Sequence, residues 1–160
     1  MERIESFKVN HDVLVPGIYI SRIDRVEGHP VTTFDIRCKR PNKGDFMPLD
    51  AMHTIEHIGA TFFRNSKIKD KVIYFGAMAC STGFYLVVAG DYPLGSEAHQ
   101  EIVDLTIGMF DFLDNFEGDV PGATRVECGN YLAHDLEGAK NIAREMLAHH
   151  QAGRLEFTYS

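Results

Sequence analysis

The chain has 160 residues, of which 44% are hydrophobic and 24% charged, and its formal net charge is −7. These values describe an ordinary globular protein with enough apolar residues for one core, so we expect a single domain over residues 1–160. The acidic balance argues against a nucleic-acid partner, which would require a basic surface. No apolar run approaches the roughly 18 residues of a membrane span, which argues against a membrane partner.

The start of the chain and its cysteines both favour a cytoplasmic location. Glu2 and Glu5 lie where a secretory signal peptide would have a basic end followed by an apolar stretch. The three cysteines are odd in number and widely spaced, which makes a poor disulfide framework. In a reducing compartment they are free to bind metal or to react.

The first half of the chain predicts a β-hairpin followed by a helix. Residues 17–23 and 31–38 are rich in β-branched and aromatic side chains and have Glu27-Gly28 between them. From about Leu49 to Arg64, apolar residues recur at helical spacing, with Asp50 near the start as a plausible cap.

The second half predicts two more strands and two more helices. Residues 72–75 and 84–89 have strand composition, a long helix opens at Gly95-Ser96-Glu97, and a third helix runs from Asp135 to about Gly153. Strands grouped in hairpins with intervening helices predict an α+β fold, in which helices pack on one face of a mainly antiparallel sheet as a two-layer sandwich.

Residues 53–57 read His-Thr-Ile-Glu-His, a pattern typical of metal sites. On a helix, positions i and i+4 lie about 40° apart around the axis, so His53 and His57 can reach one ion. Glu56 lies beside them, where a carboxylate base can act next to an open coordination position. The alternative is chance spacing on a solvated helix face, since the chain has eight histidines.

A third ligand has to come from elsewhere in the chain. Cys128 is a candidate because Gly129 would allow the backbone to turn close to an ion. A site of two histidines and one cysteine suits zinc or ferrous iron, and spacing does not separate the two. Cys128 could equally be a small buried apolar residue. Cys80, at a bend between two predicted strands, could be a reactive or a buried thiol, and Cys38 is predicted to be structural.

Six blocks in the chain occur together in one known family. They are Glu5-Ser6-Phe7 with His11; Phe34-Asp35-Ile36-Arg37 with Pro41-Asn42; His53-Thr54-Ile55-Glu56-His57; Met78 and Cys80 with Thr82-Gly83-Phe84-Tyr85; Cys128-Gly129; and His134-Asp135-Leu136-Glu137-Gly138-Ala139-Lys140. In order and spacing, over nearly the whole chain, these blocks resemble the S-ribosylhomocysteine lyases, the LuxS family.

The resemblance implies a metal site and an acid–base pair. It implies one ferrous ion (Fe2+) per subunit, held by His53, His57 and Cys128, with zinc or cobalt as possible substitutes. It also implies that Glu56 and Cys80 carry protons to and from the substrate.

The resemblance further implies a homodimer with its active sites at the subunit interface, where Ser6, His11 and Arg37 line the substrate pocket. The implied reaction splits S-ribosylhomocysteine into homocysteine and 4,5-dihydroxy-2,3-pentanedione. The second product is the precursor of autoinducer-2, a quorum-sensing signal, and the step belongs to the activated methyl cycle.

The chain departs from the family before the reactive thiol, where Ala77-Met78-Ala79-Cys80 replaces the usual Pro-Met-Gly-Cys. If the glycine position has a positive φ, Ala79 would be strained by about 1 kcal/mol.

Two other functions share parts of the pattern. One is an inverted-zincin metallopeptidase, although such enzymes are larger and use an acidic third ligand. The other is a non-catalytic metal-binding or pterin-like module with a buried Cys80.

Overall fold

A computed structural model of the chain describes residues 2, 4 and 7–159. In this part of the chain a four-stranded antiparallel sheet, in the order β1-β2-β4-β3, is combined with three α-helices. The elements are β1 (Gly17–Val26), β2 (His29–Arg37), α1 (Leu49–Arg64), β3 (Val72–Ala77), β4 (Gly83–Ala89), α2 (Glu97–Asp114) and α3 (Leu136–Gln151). The predicted α+β fold is therefore confirmed. Within the same residues, no helix combines the length and the apolar character needed to cross a bilayer.

The first hairpin is longer than predicted, because β1 continues to Val26 and β2 begins at His29. Its two-residue turn consists of Glu27 and Gly28, whose φ angles are 50° and 86°. Two successive positive φ angles are the requirement of the tight turns that match the twist of antiparallel strands. The turn chemistry was visible in the sequence, whereas the charged end of β1 concealed its strand character.

One face of the sheet packs against the helices. Phe34 pairs with Leu86 and Ile36 pairs with Phe84 across β2 and β4, and all four side chains are fully buried. They belong to one apolar cluster that also contains buried residues of α1, α2 and α3. Each fully buried side chain of this size contributes about 1.5–3 kcal/mol relative to an exposed one. The core thus lies between the sheet and the three helices, as a two-layer sandwich requires.

The opposite face of the sheet carries polar side chains at the alternate positions. Asp35 pairs with Tyr85, and Arg37 pairs with Gly83. Both Asp35 and Arg37 are nevertheless buried, at 2% relative exposure each. Charged residues are rarely buried unless they are paired with an opposite charge. A buried Asp–Arg pair on the face away from the main core therefore indicates that this face has a functional role.

Candidate metal centre and thiol site

Three histidines and one cysteine converge beside helix α1. The potential ligand atoms of His53, His57, Cys128 and His134 all lie within 4.8 Å of one another. His53 and His57 occupy successive turns of α1, while Cys128 and His134 belong to the connection between α2 and α3. The structure therefore brings together the three residues that the sequence singled out and adds a fourth.

Hydrogen bonds orient the two histidines of α1 toward this cluster. The Nδ1 atom of His53 lies 2.7 Å from the carbonyl oxygen of Ala133, and that of His57 lies 2.7 Å from the carbonyl oxygen of Pro121. Because a carbonyl oxygen only accepts, each Nδ1 carries a proton, and in the neutral tautomer that a metal ligand requires the lone pair is on Nε2. The Nε2 of His53 lies 3.4 Å from the Cys128 sulfur. This arrangement is typical of metal-binding imidazoles, whose other nitrogen donates to a fixed acceptor.

His134, like His53 and His57, carries its proton on Nδ1, but a different contact determines this. The Thr54 hydroxyl donates to the carbonyl of Asp50 at 3.0 Å and accepts from the backbone N–H of Asp135 at 2.9 Å. Its hydroxyl proton is thus used, so the His134 Nδ1 at 3.3 Å is the donor of that contact and its Nε2 is unprotonated. The Nε2 is buried and has no hydrogen-bond partner among the described residues.

The environment keeps His134 neutral. Burial, followed by the nearby His53 and His57, lowers its pKa below the ordinary value, against a weaker opposing effect of Asp50. Its ring also stacks on that of His53, with centroids 4.1 Å apart. A buried, neutral and unpartnered ring nitrogen costs free energy in an empty pocket but is well suited to a ligand.

A divalent metal ion fits this donor set. Imidazole nitrogen and thiolate sulfur are the donors that zinc and ferrous iron bind in proteins, and the four donor atoms are close enough to share one ion. The unpartnered Nε2 of His134 is an independent indication of the same conclusion. The cluster is therefore a metal site by its chemistry, and the donor atoms alone do not identify the metal.

Cys128 is held by a short turn and not by its neighbouring glycine. Its backbone N–H donates to the carbonyl of Thr124 at 2.9 Å, and its sulfur accepts from the backbone N–H of Asn130 at 3.4 Å. Gly129 is not among the glycines with positive φ, and an added Cβ would meet nothing within 4 Å. The expectation that Gly129 provides backbone freedom near the ion was wrong.

Glu56 faces a cavity of its own beside the metal cluster. This cavity, of about 310 Å³, is lined by Glu56, His57 and Thr61 of α1 and by Pro121 and Gly122 of the following connection. Because His57 belongs to both features, Glu56 lies next to the cluster without being one of its four donors. The role of Glu56 as a base beside the metal stays a prediction.

Cys80 lines a second cavity on the opposite face of the sheet. The cavity has a volume of about 400 Å³, and its walls include His11, Arg37 and Cys80 together with Asp35 and Tyr159. The structure thus brings two of the three predicted substrate-pocket residues to the predicted reactive thiol. The third, Ser6, lies outside the described residues. Cys80 itself is exposed, and Cys38, which was predicted to be structural, is buried.

A buried ion pair between Asp35 and Arg37 lies next to Cys80. The Nη2 atom of Arg37 donates to Asp35 Oδ2 at 2.5 Å, and its Nη1 donates to Thr82 Oγ1 at 2.5 Å. The Cys80 sulfur lies 3.1 Å from the Thr82 oxygen and 4.0 Å from Arg37 Nη1.

Arg37 remains charged in this buried position. Burial by itself would lower the pKa of Arg37, but the attraction of Asp35 outweighs it and the pKa is raised. The Cys80 sulfur therefore lies beside a charged guanidinium that Asp35 and Thr82 hold in place.

Ala79 is not strained, because the condition for strain, a positive φ at this position, is not met. Among the described non-glycine residues, only Glu27, Asn42 and Ser81 have positive φ, and the value at Ser81 is 59°. Ser81 closes the turn with its N–H donating to the carbonyl of Met78 at 3.0 Å. The left-handed residue near the thiol is therefore the one after Cys80, and alanine at position 79 is compatible with the backbone.

Three residues of these sites were not identified from the sequence as having a role. His134 occurs in one of the family blocks without an assigned function, although a histidine just before a helix cap is a detectable signal. Asp35 precedes Arg37 by two positions, a spacing that puts both side chains on one face of a strand. Tyr159 has no local signal, because its contacts are with residues far away in the sequence.

Comparisons with known proteins give a consistent result. Residues 4–156 match the family S-Ribosylhomocysteinase (LuxS). A protein of Clostridium beijerinckii named S-ribosylhomocysteine lyase is 48% identical over 148 residues, 92% of this chain and 90% of its own. Proteins of the same name from Finegoldia magna and Phocaeicola vulgatus are 46% and 51% identical, over 92% and 88% of this chain and 90% and 84% of their own lengths. The chain belongs to the S-ribosylhomocysteinase (LuxS) family.

Proposed function

We propose that this protein is an S-ribosylhomocysteine lyase, a carbon–sulfur lyase that releases homocysteine and 4,5-dihydroxy-2,3-pentanedione. The observation that carries the proposal is the match to the family over residues 4–156, within which His53, His57 and Cys128 converge on one point. Relatives named for this activity share close to half of their residues with the chain. We propose that residues 1–160 form one domain with this activity.

The reaction explains why both a metal site and a thiol site are needed. The C–S bond of the substrate becomes labile only when a carbonyl lies two carbons away and the carbon between them can lose a proton. The ribose must therefore open, and its carbonyl must migrate along the sugar by successive proton transfers. Each transfer requires a group that can both accept and donate a proton near neutral pH.

We propose that His53, His57 and Cys128 hold one ferrous ion per subunit, with zinc or cobalt as substitutes and His134 available as a further nitrogen donor. When bound, the metal supplies Lewis-acid polarisation of the sugar oxygens. The hydrogen bonds from Nδ1 of His53 and His57 support this set, because they fix both Nε2 atoms as donors toward the cluster.

Cys80 and Glu56 are proposed as the groups that move protons. Arg37 and Thr82 contact the Cys80 sulfur and hold it at the cavity wall, where it can reach a bound sugar as the base for the carbonyl migration. Glu56 is proposed to act late, by protonating the departing homocysteine sulfur. His11 and Arg37, which line the Cys80 cavity, and Ser6 are proposed to bind the sugar.

The complete active site is proposed to form between two chains of a homodimer. The cavity lined by Cys80 and the cavity lined by Glu56 have no described residue in common. In addition, Val126 and Leu132, which flank Cys128, are 95% and 79% exposed. Apolar side chains at this position are suited to contact with a second chain. A partner could then bring its own thiol cavity to the metal cluster.

The cellular role follows from the products. We propose that the protein works in the cytoplasm, within the activated methyl cycle, and that its sugar-derived product supplies the autoinducer-2 signal. The three free cysteines are consistent with a reducing compartment. No nucleic-acid or membrane partner is proposed.

The two alternatives receive no support. A metallopeptidase of the inverted-zincin type would use an acidic third ligand, whereas a cysteine lies at the cluster here. A non-catalytic module would leave Cys80 buried, whereas it is exposed and lies beside Arg37.

The test is thiol release by anaerobically purified protein. S-ribosylhomocysteine is added, free thiol is followed with a chromogenic reagent, and bound metal is measured by elemental analysis. We expect release in proportion to iron content and its loss in Cys80→Ala, with Cys38→Ala as the matched cysteine control. Metal-loaded protein that releases no thiol, or a Cys80→Ala variant with unchanged release, would contradict the proposal.

A further inference from the structure

The end of the chain is attached to the edge of the sheet next to the thiol cavity. We define the C-terminal segment as residues 155–159. The backbone N–H of Ile18 donates to the carbonyl of Glu156 at 2.9 Å, and the N–H of Glu156 donates to the carbonyl of Pro16 at 3.3 Å. A Cβ at position 17 would overlap the Glu156 carbonyl oxygen, so glycine permits this close approach.

Tyr159, in this segment, reaches the buried ion pair beneath the cavity. Its ring stacks on that of Tyr19, with centroids 4.7 Å apart and an interplanar angle of 7°. Its hydroxyl donates to Asp35 Oδ2 at 3.0 Å. Burial, followed by the negative charge of Asp35, raises the pKa of Tyr159, so the phenol keeps its proton and remains a donor.

Asp35 receives both of its hydrogen bonds on the same oxygen. Oδ2 accepts from Tyr159 and from Arg37 Nη2, whereas Oδ1 is buried and has no partner among the described residues. A buried carboxylate depends on its few donors for its position and its energy. Removing the phenol would leave Arg37 as its only donor within the described part of the chain.

A continuous set of contacts then leads from Tyr159 to the thiol. Asp35 holds one side of the Arg37 guanidinium, and the other side donates to Thr82 and lies 4.0 Å from the Cys80 sulfur. The guanidinium is planar and rigid, so a change on its Asp35 side also changes its Cys80 side.

We propose that Tyr159 is a positioning residue for the thiol site, in which its hydroxyl fixes Asp35 and thereby holds Arg37 beside Cys80. The proposal rests on the proposed function for the catalytic role of Cys80. His11 and Tyr85 are the other titratable side chains that line this cavity, and the change Tyr159→Phe alters neither of them.

The test compares Tyr159→Phe with the unchanged protein by alkylation of Cys80. Both are treated with iodoacetamide at pH 7, and the Cys80 peptide is quantified by mass spectrometry. At an effective dielectric constant of about 20, a guanidinium that moves away by about 1 Å from a contact of 4.0 Å attracts the reacting sulfur less, and alkylation should slow about fourfold. Tyr74→Phe is the matched control, because Tyr74 is half exposed and does not line the cavity.

A double-mutant cycle with Asp35→Asn separates positioning from a general structural effect. If Tyr159 acts through Asp35, adding Tyr159→Phe to Asp35→Asn should change the alkylation rate much less than it does alone. Should Asp35→Asn fail to fold, Arg37→Lys serves in the same cycle, because lysine keeps the charge but lacks the guanidinium fork.

The results of these experiments distinguish a failure of the inference from a failure of the proposed function. Slower alkylation in Tyr159→Phe together with non-additivity in the cycle supports the proposal, while an unchanged rate or full additivity overturns it. If alkylation depends on Tyr159 but the unchanged protein releases no thiol from S-ribosylhomocysteine, the inference stands and the proposed function fails. If the unchanged protein releases thiol and Tyr159→Phe behaves like Tyr74→Phe in both assays, the function stands and the inference fails.

Discussion

Replacing Gly17 by alanine tests whether the C-terminal segment is part of the working site. An added methyl group would overlap the carbonyl oxygen of Glu156 and would also lie too close to the Tyr19 ring. The φ of Gly17 is not positive, so the strand conformation itself accepts alanine and the effect is steric. Either the segment leaves the edge of β1, or β1 shifts within the sheet.

The magnitude follows from what the segment would lose. Two backbone hydrogen bonds are worth about 1 kcal/mol each, the stacked tyrosines add about 1 kcal/mol, and the buried Leu155 about 2 kcal/mol. Ordering the segment opposes this by about 1 kcal/mol per residue. These contributions nearly cancel, and the hydrogen bond from Tyr159 to the charged Asp35 adds about 1–2 kcal/mol, so we expect Gly17→Ala to lower the free energy of unfolding by about that amount.

The assay therefore combines stability with local accessibility. Urea unfolding followed by circular dichroism should show the small loss, limited proteolysis should cut near residue 155 sooner, and Cys80 alkylation should slow as in Tyr159→Phe. Gly108→Ala in α2 is the control, because its Cβ would make only an ordinary 3.7 Å contact with Phe62. Unchanged proteolysis and unchanged alkylation in Gly17→Ala would refute the reasoning.

Three further predictions concern the metal site and a buried histidine. Glu56→Gln should keep its metal, measured by elemental analysis, while thiol release falls about 100-fold or more; a normal rate would remove the late acid role. His134→Phe should weaken cobalt binding, followed by optical titration, about 10–100-fold relative to the exposed control His150→Phe, and equal affinities would exclude a role at the cluster. His99 is buried and burial lowers its pKa, so the unfolded chain binds its proton first and stability should fall as pH decreases below 6.5. His99→Phe should lose part of that acid sensitivity in urea titrations at pH 7 and pH 5, and an identical pH dependence would contradict the assignment.

The sequence predicted those features whose causes are local. His53 and His57 lie on the same side of α1 because of helix periodicity alone, and the turn at Glu27-Gly28 depends on the conformational freedom of two adjacent residues. The α+β class followed from the order of strand and helix patterns. Such features need only a few neighbouring residues to be recognised.

Features that depend on distant contacts could not be predicted. The orientation of His134 is set by Thr54, 80 residues earlier, and Tyr159 meets Asp35 across 124 residues. Whether Ala79 is strained could not be decided from the family pattern, which identifies a glycine but not the residue that carries the positive φ; here that residue is Ser81. Both cases required the tertiary structure, since equivalent local sequences could adopt several arrangements.

Mixing two inactive variants would test directly the proposal that the active site is shared between two chains. If Cys80 of one chain serves the metal cluster and Glu56 of its partner, a mixed dimer of Cys80→Ala and Glu56→Gln chains contains one intact site and one site that lacks both groups. Random reassociation makes about half of the dimers mixed, so we expect thiol release to recover to about one quarter of the unchanged protein. The two cavities are separate within one chain, which is why recovery is expected. Each variant incubated alone through the same dissociation and reassociation is the control. Confirmed mixed dimers without recovered activity would mean that each chain supplies both groups to its own site. Cys80 and Glu56 of one chain would then have to approach each other during the reaction, although they line different cavities.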